Sequence, residues 1–298
     1  MLLNSILEAV GGVPLIQLKK MSSGKVFAKA EYLNPGGSIK DRVAKHIIES
    51  AEREGRLKPG MIIIESTSGN TGIGLTLVGR QKGYKVVCVM PENMSEERKK
   101  IILAFGGEIV FSPAEESLLG SLKKMKEMIQ EDTEKYFVAN QFSNPHNPEV
   151  HYQQTAPEIW NDTHGEIDIF VAGVGSGGTL QGIGKFLKEK KSGIKIVAVE
   201  PKNSAALLGR EPGLHQIQGI GDGFIPDVLD VNLVDMVFTV SDEEAFETTR
   251  RLSHEEGLLV GTSSGANVFA ALHMDNGNNR VVTILPDRAE RYFSTALL

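Results

Sequence analysis

Short apolar runs, many of them β-branched, alternate along the chain with longer stretches that carry apolar residues at helical spacing. The runs have the length of buried strands and fall well below the ~20 residues that span a membrane. Strands are predicted at Met61–Glu65, Lys85–Met90, Glu108–Phe111, Ile167–Ala172, Ile194–Glu200, Met236–Val240 and Arg280–Leu285. Helices are predicted at Lys40–Glu54, Gly72–Lys82, Ser95–Phe105, Glu115–Glu131, Leu180–Lys190, Ser241–Glu256 and Ser264–Met274. This alternation predicts an α/β fold with parallel sheets wound in βα units.

The 298 residues are enough for two lobes, each with its own core. The segment from Asn144 to Pro148 contains two X-Pro bonds among asparagines, and such bonds disfavour a helix. We therefore predict that the chain crosses between lobes here, with an N-terminal lobe of residues 1–144 and a C-terminal lobe of residues 145–298. An ordinary surface loop is the alternative.

Composition narrows the class of protein. Hydrophobic residues make up 41% and charged residues 23%, which is typical of a globular protein. The net charge is −6, and no long run of Lys or Arg offers a hold on a nucleic-acid backbone, so no such partner is expected. The single cysteine, Cys88, lies in an apolar run and excludes a disulfide within the chain. Residues 1–12 lack the pattern of a leader peptide, so a cytoplasmic location is expected.

Four glycine-rich turns carry the candidate chemistry. The first, residues 34–42, places Lys40 at the opening of a helix, where the helix dipole favours a free amine over an ammonium. Such a lysine can form a Schiff base, although an isolated lysine is more often a solvated surface residue. The second, residues 66–72, combines hydroxyls, an amide and backbone N–H groups that suit a carboxylate, and a plain helix N-cap is the alternative.

The third turn, residues 173–179, lies between a predicted strand and a predicted helix, and its backbone N–H groups suit a phosphate. It also fits the pattern G-x-G-x-x-G, and Glu200 ends the next strand. A nicotinamide-dependent dehydrogenase is therefore a rival interpretation. In the fourth turn, residues 261–266, Ser263 or Ser264 is either an N-cap or a hydroxyl for the ring nitrogen of a cofactor.

In this order and at these spacings, the four turns resemble those of the cysteine synthase family of fold-type II pyridoxal-phosphate enzymes, which includes O-acetylserine sulfhydrylase and cystathionine β-synthase. The resemblance runs through Gly11–Leu15, Met94–Arg98, Asn140–Phe142, Gln218–Gly221, Pro286–Asp287 and Arg291–Tyr292. It implies two open, twisted, largely parallel sheets flanked by helices, with pyridoxal 5′-phosphate in the cleft between the lobes. About the first 35 residues are expected to cross to the other lobe.

The resemblance also implies roles for the residues of the turns. Lys40 is expected to form the Schiff base and to take the α-proton, and Asn70 to hydrogen-bond the 3′ oxygen of the cofactor. The substrate is expected at Thr67, Ser68, Thr71, Gln141 and Gly219. The phosphate is expected at Gly175, Ser176, Gly177, Gly178 and Thr179, and the pyridine nitrogen at Ser263. No metal site is predicted.

The implied reaction is β-replacement through an α-aminoacrylate, most simply the conversion of O-acetylserine and sulfide to cysteine and acetate. Asp222 departs from the family pattern, because typical O-acetylserine sulfhydrylases have a small residue there, in a loop that lines the pocket for the β-substituent. A carboxylate can deprotonate water or a thiol. The alternative reaction therefore uses cysteine, releases hydrogen sulfide and yields serine or a thioether such as lanthionine or cystathionine. An Asp222 that faces solvent or caps its own loop is equally consistent with the sequence.

Small-molecule substrates are the partners that the reaction requires. The resemblance further implies a homodimer, and it leaves open a regulatory complex with serine acetyltransferase.

Overall fold

The computed structural model describes residues 2–67, 69–295 and 297, without the side chains of residues 117–119. The strands are β1 (Leu15–Gln17), β2 (Val26–Lys29), β3 (Ile62–Ser66), β4 (Lys85–Pro91), β5 (Glu108–Ser112), β6 (Tyr136–Val138), β7 (Ile169–Gly173), β8 (Lys195–Pro201), β9 (Met236–Val240) and β10 (Val281–Ile284). The helices are α1 (Lys40–Arg53), α2 (Asn70–Gln81), α3 (Glu96–Ala104), α4 (Ser117–Glu131), α5 (His146–Val150), α6 (Ala156–Asp162), α7 (Gly178–Lys190), α8 (Asp242–Arg251) and α9 (Thr262–Met274). Within these described ranges, no helix has both the length and the apolar character needed to cross a membrane.

The strands form two sheets. The smaller has the order β5-β4-β3-β6, and all of its neighbouring strands are parallel. The larger has the order β1-β2-β10-β7-β8-β9 and is parallel except for the β1–β2 pair. β10, from near the end of the chain, therefore lies between β2, from near its start, and β7. The prediction of largely parallel sheets in an α/β fold is confirmed.

Helices cover both faces of each sheet. In β7, Val171 lies in the same core as Val268 of α9, whereas its neighbour Ala172 lies in the core that contains Leu180 of α7. The smaller sheet is covered in the same way, by α1, α2 and α3 on one face and by α4 on the other. Because successive side chains of a strand point to opposite faces, strands covered on both sides carry continuous apolar runs. This is why the sequence predicts them as unbroken runs.

The predicted strands and helices agree with the observed ones to within two residues at each end, provided that the π-helical turn Leu252–Glu256 is counted with α8. The sequence does not predict β1, β2 and β6. These strands are three, four and three residues long, which is too short for an apolar run to stand out. They are strands because neighbouring strands pair with them, which sequence periodicity does not show.

The expectation that proline keeps the segment at Asn144–Pro148 out of a helix is wrong. α5 begins at His146, with Pro145 as its N-cap residue and Pro148 in its first turn. The N–H groups of a first turn have no intrahelical acceptor, so proline loses no hydrogen bond there. Asn144 supports this start, because its Oδ1 accepts a hydrogen bond from the backbone N–H of His146 at 3.0 Å.

Candidate active site

The four glycine-rich turns meet at one cleft, which is lined by the turns after β3, β7 and β10 and by the first residues of α1 and α9. The carboxyl ends of parallel strands are where open α/β sheets bind their ligands. The predicted site residues in its wall are Lys40, Thr67, Asn70, Thr71, Gln141, Gly175, Ser176, Gly177, Thr179, Gly219, Asp222 and Ser263. Gly178 follows as the first residue of α7, and Ser68 lies outside the described residues.

Lys40 is the first residue of α1, and its side chain reaches the third turn. Its Nζ donates a hydrogen bond to Ser176 Oγ at 3.0 Å. Burial lowers the pKa of Lys40 to about 8, although the carboxylates of Asp222 and Asp287 oppose this shift. A fraction of the amine is therefore neutral near pH 7. A neutral, positioned amine is what nucleophilic attack on a carbonyl carbon requires.

The third turn is packed so closely that side chains do not fit at two of its glycines. A Cβ at Gly175 would lie 2.2 Å from the carbonyl oxygen of Gly219, and a Cβ at Gly178 would lie 2.0 Å from Oδ1 of Asn147. Gly177 is the N-cap of α7 and has a φ of 78°, a left-handed conformation that favours glycine. The N–H groups and the dipole at the start of α7 together favour a bound anion.

Two hydroxyls complete this turn. Ser176 Oγ accepts a hydrogen bond from Asn147 Nδ2 at 3.0 Å, in addition to the one from Lys40. Thr179 Oγ1 lies 3.4 Å from Nε2 of His151. Burial lowers the pKa of His151, and the charge of Lys40 lowers it further. The imidazole beside Thr179 is therefore neutral and can orient the hydroxyl toward an anion.

Asn70 begins α2 and is held by a buried carboxylate. Its Nδ2 donates to Asp287 Oδ2 at 2.6 Å, and the same oxygen accepts a hydrogen bond from the hydroxyl of Tyr292 at 2.6 Å. Oδ1 of Asn70 is buried and has no partner among the described residues. A buried polar atom without a partner costs about 1–3 kcal/mol, so this atom marks a place where a polar ligand group can bind.

The second turn is held by side-chain hydrogen bonds. Thr67 Oγ1 accepts one from the backbone N–H of Gly69 at 3.1 Å, and Thr71 Oγ1 donates one to Gln141 Oε1 at 2.5 Å. Thr67, Thr71 and Gln141 are all buried in the wall of the cleft. Hydroxyls, an amide and a helix N-terminus in this arrangement suit a carboxylate.

Gln141 depends on a buried carboxylate to which sequence alone assigns no role. Glu65 of β3 accepts hydrogen bonds from the backbone N–H of Asn140, at 2.6 Å, and from that of Gln141. Burial raises the pKa of Glu65 to about 7, against the effect of these two bonds. Glu65 thus fixes the backbone that presents Gln141. Its one sequence signal is a charged residue that follows directly on the apolar residues Ile62–Ile64 in a buried strand.

Ser263 and Asp222 stand in the same cleft. Ser263 is the second residue of α9 and is only 3% exposed, so its hydroxyl is part of the inner wall. Asp222 is exposed to the open cleft, yet the surrounding protein removes enough water that burial raises its pKa. Lys40 and His215 nearby oppose that shift. Asp222 is therefore close enough to Lys40 for their charges to interact.

Arg98 is a further residue of the cleft to which sequence alone assigns no role. It is buried on α3, and its guanidinium lies over the ring of Tyr292, 4.7 Å from the ring centroid. Its Nη1 donates a hydrogen bond to Gln218 Oε1. Arg98 therefore links α3, which covers the smaller sheet, to the loop that carries Gly219 and Asp222.

Glu200 does not enter the cleft wall. Its carboxylate accepts hydrogen bonds from the backbone N–H of Leu207, at 3.1 and 3.3 Å, and it is 2% exposed. It caps the short helical turn Ala206–Leu208. A dinucleotide ribose would need this carboxylate free, so the structure does not support the dehydrogenase interpretation.

A family model described as pyridoxal-phosphate dependent enzyme matches residues 6–287. A cysteine synthase of Staphylococcus aureus is 48% identical over 99% of this chain and 96% of its own length. The crystal structure of O-acetylserine sulfhydrylase isoform 3 from Entamoeba histolytica is 44% identical with a TM-score of 0.95, covering 100% of this chain and 92% of that one. A hydrogen sulfide-producing enzyme from Fusobacterium nucleatum is 40% identical with a TM-score of 0.94, covering 98% and 100%.

Proposed function

The chain belongs to the family of pyridoxal-phosphate dependent enzymes, and from this premise we propose that it is a cysteine synthase, converting O-acetylserine and sulfide to cysteine and acetate. The observation that carries the proposal is the placement of Lys40. Its partly neutral amine lies in the wall of a cleft that has a turn suited to a phosphate and a turn suited to a carboxylate. One lysine can therefore serve both a phosphate-bearing cofactor and an amino-acid substrate.

The cleft fits pyridoxal phosphate. The start of α7 and the hydroxyls of Ser176 and Thr179 would hold the phosphate. The unpartnered Oδ1 of Asn70 would accept a hydrogen bond from a protonated 3′ oxygen, and the hydroxyl of Ser263 would face the ring nitrogen. When bound, the cofactor supplies an electron sink for the charge left by the α-proton. A neutral serine cannot fully protonate a ring nitrogen, and this favours loss of the β-substituent over transamination.

Different residues of the protein then bind the substrate, transfer the proton and exclude water. Thr67, Thr71 and Gln141 hold the substrate carboxylate and so orient the α-carbon. Lys40 Nζ takes the α-proton and later returns it to the product. Closure of the second turn over the substrate excludes water from the reacting carbon.

A second candidate function uses cysteine as substrate and is favoured by one observation, the position of Asp222 in the wall of the same cleft as Lys40. Burial raises the pKa of Asp222, which makes this carboxylate a stronger base than a solvated aspartate. In this proposal, Asp222 takes a proton from water or a thiol as it adds to the β-carbon. Hydrogen sulfide leaves, and serine or a thioether is formed.

Product analysis separates the two candidates. The holoenzyme is incubated with O-acetylserine plus sulfide and, separately, with cysteine alone. If the chain is a cysteine synthase, the first reaction should yield cysteine and acetate, and the second should release no sulfide. The alternative predicts sulfide from cysteine, together with serine or lanthionine. No turnover in either reaction would contradict both candidates.

The isosteric change Asp222→Asn refines this test, because it removes the base and keeps the shape. Sulfide is already largely ionised near pH 7, whereas water needs a base, so only the cysteine reaction should slow, by about 10²–10⁴-fold. Equal and small effects on both reactions would show that Asp222 does not act as a base in either of them.

We further propose that the lobes divide between residues 144 and 145, that the enzyme is a cytoplasmic homodimer, and that serine acetyltransferase is the candidate for a regulatory complex. Support for the lobe division comes from the smaller sheet, whose strands all lie between residues 62 and 138. Sedimentation of the holoenzyme, alone and with the acetyltransferase, tests the assembly.

A further inference from the structure

Two histidines and a glutamate meet at the contact of α1 with α5, outside the cleft wall. His46 lies on α1, and His146 and Glu149 lie three residues apart on α5. Oε2 of Glu149 is 3.0 Å from Nε2 of His46 and 2.5 Å from Nδ1 of His146. One nitrogen from each ring and the carboxylate oxygen all lie within 4.8 Å of one another. Three side chains that commonly ligate metals thus converge on one point.

The second ring nitrogen of His146 also has a carboxylate neighbour. Its Nε2 lies 2.9 Å from Oε1 of Glu54, and Glu54 pairs with Arg56 at 2.6 Å. A histidine that ligates a metal through one nitrogen usually donates its other N–H to a carboxylate, which fixes the ring and the tautomer. Glu54 has this relation to His146. In the tautomer in which Nε2 donates to Glu54, the lone pair of Nδ1 is directed at Glu149.

A neutral His146 cannot satisfy both of its carboxylate neighbours, because a neutral imidazole has one N–H and one lone pair. If Nε2 donates to Glu54, the lone pair of Nδ1 faces the negative oxygen of Glu149. A positive charge at the centre, either a metal ion or a proton on Nδ1, removes this conflict. The other oxygen of Glu149, Oε1, already accepts a hydrogen bond from Gln153 at 2.9 Å, which leaves Oε2 for the ion.

We propose that His46, His146 and Glu149 form a site for a divalent transition-metal ion of the Zn²⁺ type, with Glu54 as the carboxylate that orients His146. Two imidazoles and one carboxylate are a known ligand set for zinc, with a water in the fourth position. Ligand bonds of about 2.0–2.2 Å place tetrahedral ligand atoms roughly 3.3 Å apart, so small side-chain rotations are enough to admit the ion. The side chains of His46 and His146 are largely buried, whereas that of Glu149 is 39% exposed and gives an ion access from solvent.

The proposed site joins α1 and α5, two helices that support the cleft. α1 begins at Lys40, and the α5 residue between the two ligands, Asn147, hydrogen-bonds Ser176. A bound ion would therefore tie together the helices that position an amine and a phosphate turn. The sequence predicts no metal site because His46 lies far from His146 along the chain. The two histidines therefore do not form a recognisable metal-binding motif.

The test uses the holoenzyme after dialysis against a chelator. Titration calorimetry with Zn²⁺ should show one ion bound per chain, and Zn²⁺ should raise the melting temperature, because an ion that binds only the folded state stabilises it. His46→Gln and His146→Gln should each weaken binding by more than about 100-fold, and Glu54→Gln by about 10–100-fold. His273→Gln is the matched control, because His273 is exposed and contacts the carbonyl oxygen of Phe269 instead. It should bind Zn²⁺ like the wild type.

Co²⁺ provides a measurement that does not depend on variants folding. Wild-type protein with Co²⁺ should show the intense visible absorption of a four-coordinate site, and added Zn²⁺ should abolish it. The proposal is overturned if the wild type binds no Zn²⁺ or if His46→Gln and His146→Gln bind it as tightly as the wild type. It is also overturned if a rise in pH through the histidine range changes stability while Zn²⁺ has no effect. In that case the cluster holds only protons.

Discussion

The cleft has two polar walls that are built by different means. The third turn is closely packed, since a Cβ at Gly175 would overlap the backbone oxygen of Gly219 and one at Gly178 the side-chain oxygen of Asn147. The second turn depends in part on side-chain hydrogen bonds, such as that of Thr71 to Gln141. Each such bond contributes only about 0.5–1.5 kcal/mol, so we expect the second turn to adjust more readily than the third. A rigid wall suits a resident cofactor, and an adjustable wall suits a substrate that comes and goes.

Lys40 is proposed to bind the cofactor and to transfer the proton of the substrate. Its removal should therefore have the largest effect on turnover. Lys40→Ala should lower turnover by at least about 10²–10⁴-fold, because Lys40 supplies the only amine among the described residues of the cleft wall. Cofactor should still bind through the third turn. Lys45→Ala is the control, since Lys45 lies on the same helix and only donates to the carbonyl of Leu7. Steady-state rates and cofactor content check the result, and near-normal turnover by Lys40→Ala would contradict the assignment.

Gly178→Ala tests the rigid wall. The added Cβ would lie 2.0 Å from Asn147 Oδ1, and overpacking of this kind costs about 1–3 kcal/mol. We expect that loss in the free energy of unfolding and at least about a tenfold loss of cofactor affinity. Gly193→Ala is the matched control, because a Cβ there meets no described atom within 4 Å. Urea denaturation and cofactor titration measure the two quantities, and equal behaviour of both variants would show that the wall is not rigid.

Thr71→Ala tests the adjustable wall. It removes a hydroxyl proposed to bind the substrate carboxylate, so the KM for the amino acid should rise by about 10–100-fold, the range for hydrogen bonds to charged groups. Cofactor affinity should stay unchanged, and Thr71→Ser should restore the KM. A parallel loss of cofactor affinity would mean that the two walls do not act separately.

Glu65→Gln should have the smallest effect of these substitutions. It should change mainly how the free energy of unfolding depends on pH. Burial raises the pKa of Glu65 from 4.5 to about 7, so the folded protein binds this proton more tightly than the unfolded chain does. The stability that this proton provides is complete below pH 4.5 and is lost as the pH rises toward 7. Glu65→Gln keeps an acceptor for Asn140 and cannot lose a proton. Its stability relative to the wild type should therefore increase between pH 5 and pH 7.5.

Urea denaturation at the two pH values checks this expectation. The exposed substitution Glu134→Gln should show no such trend. If Glu65→Gln follows the pH dependence of the wild type, the carboxylate of Glu65 does not titrate in this window.

Most of the fold is predictable from the sequence because buried parallel strands appear as unbroken apolar runs. The exceptions have physical causes. β1, β2 and β6 are too short to show a pattern, and α5 tolerates Pro148 because a first helical turn needs no N–H there. Sequence identifies the four turns because each combines glycine with hydroxyls at the start of a helix. It does not identify Glu65, Arg98 or Asp287 as supports of the site, since their roles depend on contacts with residues far along the chain.

The position of β10 in the larger sheet has a consequence for the order of folding during synthesis. Val281 of β10 pairs with Val26 of β2, so the two strands that must meet lie far apart along the chain, and the ribosome makes β2 long before β10. The smaller sheet, with its strands between residues 62 and 138, can form while the rest of the chain is still being translated. The larger sheet keeps unpaired strand edges at β2 and β7 until β10 is inserted between them. The larger sheet, which includes the strand before the third turn, is therefore completed after the smaller one, and we expect cofactor uptake to follow its completion.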